Sequence, residues 1–584
     1  MATTYDKASL VMIPSGVKES KLYSIKPTSG DGDFTFSRGT DTATRVNASG
    51  LIEKERGNTI LYSNDFNTGY SKTRASLVSG QSGYDGTNDA WGFVDDTNNS
   101  THLIVQTIAS SEVATFSVYA KKGAVDFMAF RYEDASVEYA YFDLANGTLG
   151  TIASGYIDAK IEAVGATGWY RCEATRTSAN KVVILSAQSD NDPTYAGAGT
   201  TAIYIQDAML NQGLVAQPYI ETTTAAVYEG ITDNLPRLDY SGGASCPSLL
   251  LEPSRTNVIE HSEYLGEYGV SNVSVSYNNA TSPEGVQNAT FVTGDSGTAT
   301  KVVNFNPSAN GAYTISVFAK YDSHQWIQLG MGGVATYANF DIQNGVVGGT
   351  NGTSDIEDYG NGWYRCSVQM TSGTPLSHYI GMVDNGSAAR LASSSSTNSF
   401  WAYGMQSEIG SYPTSYIPTY GASASRAGDA NCVTASPSTS LFGQTEGTIF
   451  CEYTPVSDNT TNQSRFIRLR NSSNSNQIYM QHNALNNINA VVFNGSNQFV
   501  GQTPTGYVSV GNTYKFALGY KDGDYVFYAN GVQIEAGTAT GLGTLTIDRL
   551  DLDNANISKS SKVNQALVFK TRLTNAELAA LTTI

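Results

Sequence analysis

Fifty-two acidic residues, five histidines and five cysteines carry most of the chemistry open to this chain of 584 residues. His102, His261, His324, His378 and His482 stand singly, with no HExxH or other ligand spacing. There is no GxSxG elbow, no GxxxxGK[ST] loop and no GxGxxG after a strand. A glycosidase needs two carboxylates about 5–10 Å apart across a sugar, and the sequence singles out no such pair. The expectation is a protein that is not an enzyme.

Cys172, Cys246, Cys366, Cys432 and Cys451 form no CxxC pair, and their odd number argues against a disulfide framework. Cys172 and Cys366 sit in apolar runs and read as small buried hydrophobes. Acidic loops at 95–99, 190–192 and 548–554 offer oxygen ligands for Ca²⁺. None has the twelve-residue calcium-loop spacing, and Asp and Asn crowd turns for backbone reasons alone. No cofactor is expected, with a structural Ca²⁺ left open.

Sugar binding asks for an aromatic platform for the C–H face beside Asn, Asp, Gln or Arg for the hydroxyls. Trp169 and Trp363 recur in one repeated phrase among strand residues and read as core. Trp91, Trp326 and Trp401 do not recur, and stand beside Asn88-Asp89, His324-Gln325 and Asn398-Ser399. These three, with Tyr479 and His482, are the carbohydrate-binding candidates, each set against plain burial.

The elements that must position these residues come as a duplication. Ser117-Val-Tyr-Ala-Lys, Tyr141-Phe-Asp-Leu-Ala-Asn-Gly, Gly168-Trp-Tyr-Arg-Cys172, Asp207-Ala-Met and Pro218-Tyr-Ile-Glu-Thr form the first copy. Ser316-Val-Phe-Ala-Lys, Asn339-Phe-Asp-Ile-Gln-Asn-Gly, Gly362-Trp-Tyr-Arg-Cys366, Tyr403-Gly-Met and Ser415-Tyr-Ile-Pro-Thr form the second. Ser316 follows Ser117 by 199 residues and Cys366 follows Cys172 by 194. That period is far beyond solenoid repeats, so each copy is a domain with its own core.

Period-two runs such as Phe127-Met-Ala-Phe-Arg-Tyr, and β-branched runs such as Val182-Val-Ile-Leu, recur without a helical period. The fold class is all-β: tandem jelly-roll or β-sandwich modules with a C-terminal lectin-like sandwich. The expected divisions are 1–57, a polar segment that folds against a neighbour; 58–225, copy 1; 226–256, a Pro/Gly connector; 257–430, copy 2; and 431–584, the last sandwich. In the last, Ala529-Asn-Gly-Val predicts a tight hairpin. Thr574-Asn-Ala-Glu577 predicts a capping box on the one expected helix.

A net charge of −18 and a pI near 4.7, with no Lys/Arg run, exclude the basic footprint of a nucleic-acid binder. No stretch of eighteen apolar residues predicts membrane insertion. The start, Met1-Ala-Thr-Thr-Tyr-Asp-Lys, lacks the pattern of a signal peptide, so export by the standard route is not expected.

Several phrases carry a resemblance: Phe36-Ser-Arg38 with Ala43-Thr-Arg-Val-Asn-Ala-Ser-Gly-Leu-Ile-Glu53; Leu235-Pro-Arg-Leu-Asp-Tyr240; Leu249-Leu-Leu-Glu-Pro-Ser-Arg-Thr-Asn257; and the Gly-Trp-Tyr-Arg-Cys repeats. Together they resemble fibre and receptor-binding proteins of tailed bacteriophages (tail or head fibres). Residues 523–532 and 569–578 resemble the concanavalin A-like, laminin-G-like lectin fold. The resemblance implies a structural protein on the virion surface, assembled in the host cytoplasm, that adsorbs to host surface glycans. It implies attachment to other virion proteins through residues 1–57, a C-terminal domain pointing outward, and a homotrimer. A ligand-free architectural decoration and a polysaccharide depolymerase are the alternatives.

Overall fold

Alternation makes each strand two-faced, and two-faced strands must bury one side against a second sheet. The computed structural model describes residues 2–110, 112–133, 137–306, 313–369, 377–429, 431–457, 463–552 and 559–584. It is all-β, with three sandwiches and every strand pairing antiparallel.

In copy 1, one six-stranded sheet runs Asp158–Ala163, Trp169–Arg176, Ala114–Lys122, Thr201–Gln212, Ala90–Asp95, Ala75–Gln81. Its partner sheet centres on Phe127–Glu133 and Ala179–Ala187. The run Val182-Val-Ile-Leu is continuous rather than alternating because that strand is covered on both sides. Val182 and Ile184 enter the main core, and Val183 and Leu185 a second cluster on the outer face. Copy 2 repeats the plan, its first sheet holding Thr353–Asp358, Trp363–Gln369, Tyr313–Tyr321 and Ser399–Ile409.

Equivalent polar groups anchor the two copies. Asn58 donates to the carbonyls of Ala208 and Ile220 and accepts from the amides of Ile60 and Leu210. Asn257 does the same with Met405, Ile417, Ile259 and Ser407. Ser63 meets Tyr219 as Ser262 meets Tyr416, both at 2.7 Å. The structure corrects one landmark by a residue. Each long strand carries a bulge opening on a left-handed residue, Asp207 (φ 53°) in copy 1 and Gly404 (φ 63°) in copy 2. Asp207 therefore corresponds to Gly404, not Tyr403; both residue types tolerate that conformation.

Residues 1–57 do not stand apart. Leu10–Met12 pairs with Ser561–Phe569, and Phe34–Ser37 pairs with Asn431–Thr434. Ser248–Leu251, from the connector, joins the same sheet as Leu10–Met12. The last sandwich is thus built from both ends of the chain. Its core takes Leu10, Met12, Phe34 and Phe36 beside Leu249, Ile449 and Phe516. The N-terminal segment and the C-terminal domain thus share one core. Apolar side chains too few for a core of their own are buried in the last one.

The Asn530-Gly531 hairpin forms with both residues at positive φ. The Thr574/Glu577 capping box forms on the helix Asn575–Thr582. A second helix, Ala2–Lys7, was not expected; Lys7 pairs with Glu577. No disulfide joins the five cysteines among the described residues, and all but Cys246 are buried.

Candidate functional site

The phrases that carry the sequence resemblance converge on one buried charge cluster. Arg237 meets Glu252 at 2.7 Å and also pairs with Asp429; Arg426 meets Glu252 at 2.8 Å; Arg38 meets Asp429 at 3.2 Å. These side chains are almost wholly buried. Burial alone would push the Glu252 carboxyl up, but Arg426 and Arg237 hold it far below the usual range. Stripping water from such charges is expensive, and only full pairing offsets it. The cluster therefore sets the geometry where the N-terminal segment (Arg38), the connector (Arg237, Glu252) and the chain leaving copy 2 (Arg426, Asp429) meet.

Beside that joint lies a cleft of about 1220 Å³ between copy 2 and the last sandwich. Its floor is the outer face of copy 2's first sheet: Thr353, Asp355 and Glu357 on one strand, Arg365, Ser367 and Gln369 on the next. Tyr359 and Tyr412 line it as well. The far wall is Thr454, Val456, Ser457, Val510 and Lys562.

Copy 1 shows what closes this face. There the strand exit at 213–217 lies across the sheet. Thr115 donates to the Gly213 carbonyl, Thr175 to Leu214 and Arg171 to Gln217, while Glu173 accepts the Ala216 amide at 2.9 Å. Register places Ser367 at the position of Glu173 and Gln369 at that of Thr175. Of these four bonds copy 2 keeps one, from Thr314 to the Gly410 carbonyl. The side chains of Ser367 and Gln369 make no hydrogen bond among the described residues and face the cleft.

The chemistry of the floor is hydroxyl, amide, carboxylate and guanidinium. Arg365 is 6% exposed, gives one Nη2–H to Ser316 at 3.1 Å and lies over the Phe318 ring, and its buried Nε–H has no acceptor among the described residues. Glu357 opens to the cleft but is hemmed in by protein; desolvation pushes its pKa up, partly offset by Arg365. Desolvation likewise pushes the Tyr359 phenol up. The hydroxyl, amide and carboxylate groups of such a floor can both donate and accept hydrogen bonds.

No family model matches the chain, and no curated protein matches it. Solved structures with similar folds include the CBM40 domain of the Ruminococcus gnavus IT-sialidase bound to α2,3-sialyllactose (15% identity, 26% of this chain and 92% of that one, TM-score 0.22). Another is the CBM22-1–CBM22-2 tandem of Paenibacillus barcinonensis Xyn10C (10% identity, 64% and 100%, TM-score 0.20). A third is the LG1-3 region of the laminin α2 chain (10% identity, 81% and 96%, TM-score 0.19). At such scores these likenesses carry no weight for what this chain binds.

The structure brings none of the five sequence-chosen candidates into the cleft. Trp91 packs on copy 1's core, its Nε1–H given to the Asn64 carbonyl at 2.8 Å. Trp326 lies under a loop, close against Gly348 and Gly386. Trp401 is half-buried against Phe291, with the Lys320 ammonium 5.9 Å from its ring. The Arg465 guanidinium covers Tyr479 at 4.3 Å. His482 is buried, its two ring nitrogens 3.0 Å from Tyr453 and Asn486.

The acidic loops use their carboxylates internally. Asp95 accepts from the Tyr195 hydroxyl and the amides of 198–200, Asp190 from Thr151, and Asp551 binds Arg468 and Arg470. Asp553 and Asn554 lie outside the described residues. Among the described residues no group of three or more His, Cys, Asp or Glu is placed to hold a metal ion.

Sequence reading missed Asp355, Glu357, Arg365, Ser367 and Gln369. One signal was present: in the motif Gly-Trp-Tyr-Arg-Cys the copies agree, and immediately after it Glu173 becomes Ser367 and Thr175 becomes Gln369.

Proposed function

We propose that this chain is a glycan-binding protein of the tailed-phage virion surface, and that the cleft over copy 2 is where it holds the glycan. The observation that carries the binding reading is the uncovered polar floor of Asp355, Glu357, Arg365, Ser367 and Gln369, on the face that copy 1 seals with its own chain. The virion assignment rests on the fibre-like phrases of the sequence. Their charged residues Arg38, Arg237 and Glu252 form the joint that borders the cleft.

In this reading the protein adsorbs particles reversibly to host surface glycans without cleaving them. Weak single sites gain avidity through multiple copies, as a homotrimeric appendage would provide. Because residues 10–37 are strands of the last sandwich, attachment to other virion proteins would use that sandwich's surface.

The test is binding of the full chain to host cells and to an array of bacterial glycans. Saturable binding, lost when Ser367→Trp fills the floor of the cleft, is the expected result. A chain that binds no glycan even when displayed multivalently would leave decoration without a ligand as the better account.

A further inference from the structure

The two copies differ in charge at the same place. In copy 1, Lys160 and Glu162 stand two residues apart on the edge strand and pair at 2.6 Å. Register puts Asp355 at the position of Lys160 and Glu357 at that of Glu162. Copy 2 therefore has two carboxylates where copy 1 has a neutral pair. They point to one face, about 7 Å apart along the strand.

Neither carboxylate accepts a hydrogen bond or closes an ion pair among the described residues. The cations around the cleft are otherwise engaged. Lys562 pairs with Asp239 at 2.9 Å and Arg45 with Glu53 at 2.8 Å. The Arg255 guanidinium lies over Tyr412. Arg365, cross-strand from Glu357, is held against Ser316 and Phe318, with its Nε–H left unpartnered among the described residues. The floor thus offers two carboxylates without an ion pair among the described residues, with Arg365 and Lys562 acting on Glu357 only at longer range.

Resting on the glycan reading, we infer that Asp355 and Glu357 make the cleft select uncharged saccharides and reject those bearing carboxylate, sulfate or phosphate. The two carboxylates accept pairs of sugar hydroxyls. An acidic sugar seated there would bring a third negative charge beside two that no protein cation pairs with directly among the described residues. The chain's net charge of −18 opposes its approach as well.

The experiment titrates the full chain with a neutral hexose tetrasaccharide and with its counterpart carrying one uronic acid, at low and high salt. The neutral ligand is expected to bind at least tenfold tighter, with the gap narrowing as salt screens the repulsion. Asp355→Lys, which restores the pair seen in copy 1, should strengthen binding of the acidic ligand tenfold or more. Asp355→Asn should move it the same way by less, and both variants should weaken binding of the neutral ligand, whose hydroxyls lose an acceptor.

If Ser367→Trp blocks both ligands but the wild type binds them equally, the glycan site stands and the selectivity inference falls. Equal effects of Asp355→Lys on both ligands would also overturn it. If neither ligand binds at any salt, both the glycan reading and this inference fall.

Discussion

The Glu173 carboxylate accepts the Ala216 amide at 2.9 Å, and by that bond copy 1 pins its own chain across a sheet face that copy 2 leaves open. The duplicated domain is its own control: one fold, one face, two treatments. Introducing Ser367→Glu with Gln369→Thr should rebuild the seal over 410–416. Glycan binding should fall more than tenfold while the melting temperature holds or rises. Titration calorimetry with thermal unfolding checks both.

His378 is buried against the Tyr313 ring, and neither of its nitrogens has a partner among the described residues. Burial pushes its pKa down to about 4 from an ordinary 6.5. The folded state keeps it neutral, whereas the unfolded chain takes up a proton below 6.5. Stability is therefore lost as pH falls from about 6.5 towards 4. His378→Phe should flatten that slope, gaining about 2 kcal/mol over wild type at pH 5. Denaturant titrations at pH 5 and pH 8 measure the difference, which should vanish at pH 8 apart from a constant packing offset.

Arg237 lies between Glu252 and Asp429 with no exposed surface. Removing one partner of a buried network strands the remaining charges and costs about 3–5 kcal/mol. Arg237→Met should lower the melting transitions of both copy 2 and the last sandwich, since the cluster joins them. A loss confined to one sandwich in calorimetry would contradict the cluster's role as a joint.

Asn58→Ala and Asn257→Ala remove equivalent four-bond anchors. Each leaves buried carbonyls and amides unpaired, costing at least about 2 kcal/mol. Protection from hydrogen exchange should fall in copy 1 for the first variant and in copy 2 for the second.

Features written in neighbouring residues were legible in the sequence. The duplication, the strand periodicity, the Asn530-Gly531 hairpin and the Thr574/Glu577 cap are all local patterns. The last sandwich was legible only in part, because Leu10 pairs with Val568, across almost the whole chain. No local pattern encodes that pairing. The cleft was hidden for the same reason: Arg45, Asp239, Glu357, Tyr412 and Lys562 come from five separate stretches. The isolated tryptophans drew attention as sugar platforms, but a large ring in a sandwich is most readily used in packing, as Trp91 and Trp326 are. The informative residues were small ones, Ser367 and Gln369, whose meaning appears only beside Glu173 and Thr175.

The most direct test of the central claim is backbone hydrogen exchange of the full chain, with and without a saturating bound glycan. The account predicts slowed exchange confined to 353–358, 365–369 and 410–416, with the facing residues 454–457 and 510–511. Protection centred instead on copy 1, or on the sheet carrying Tyr479, would contradict it.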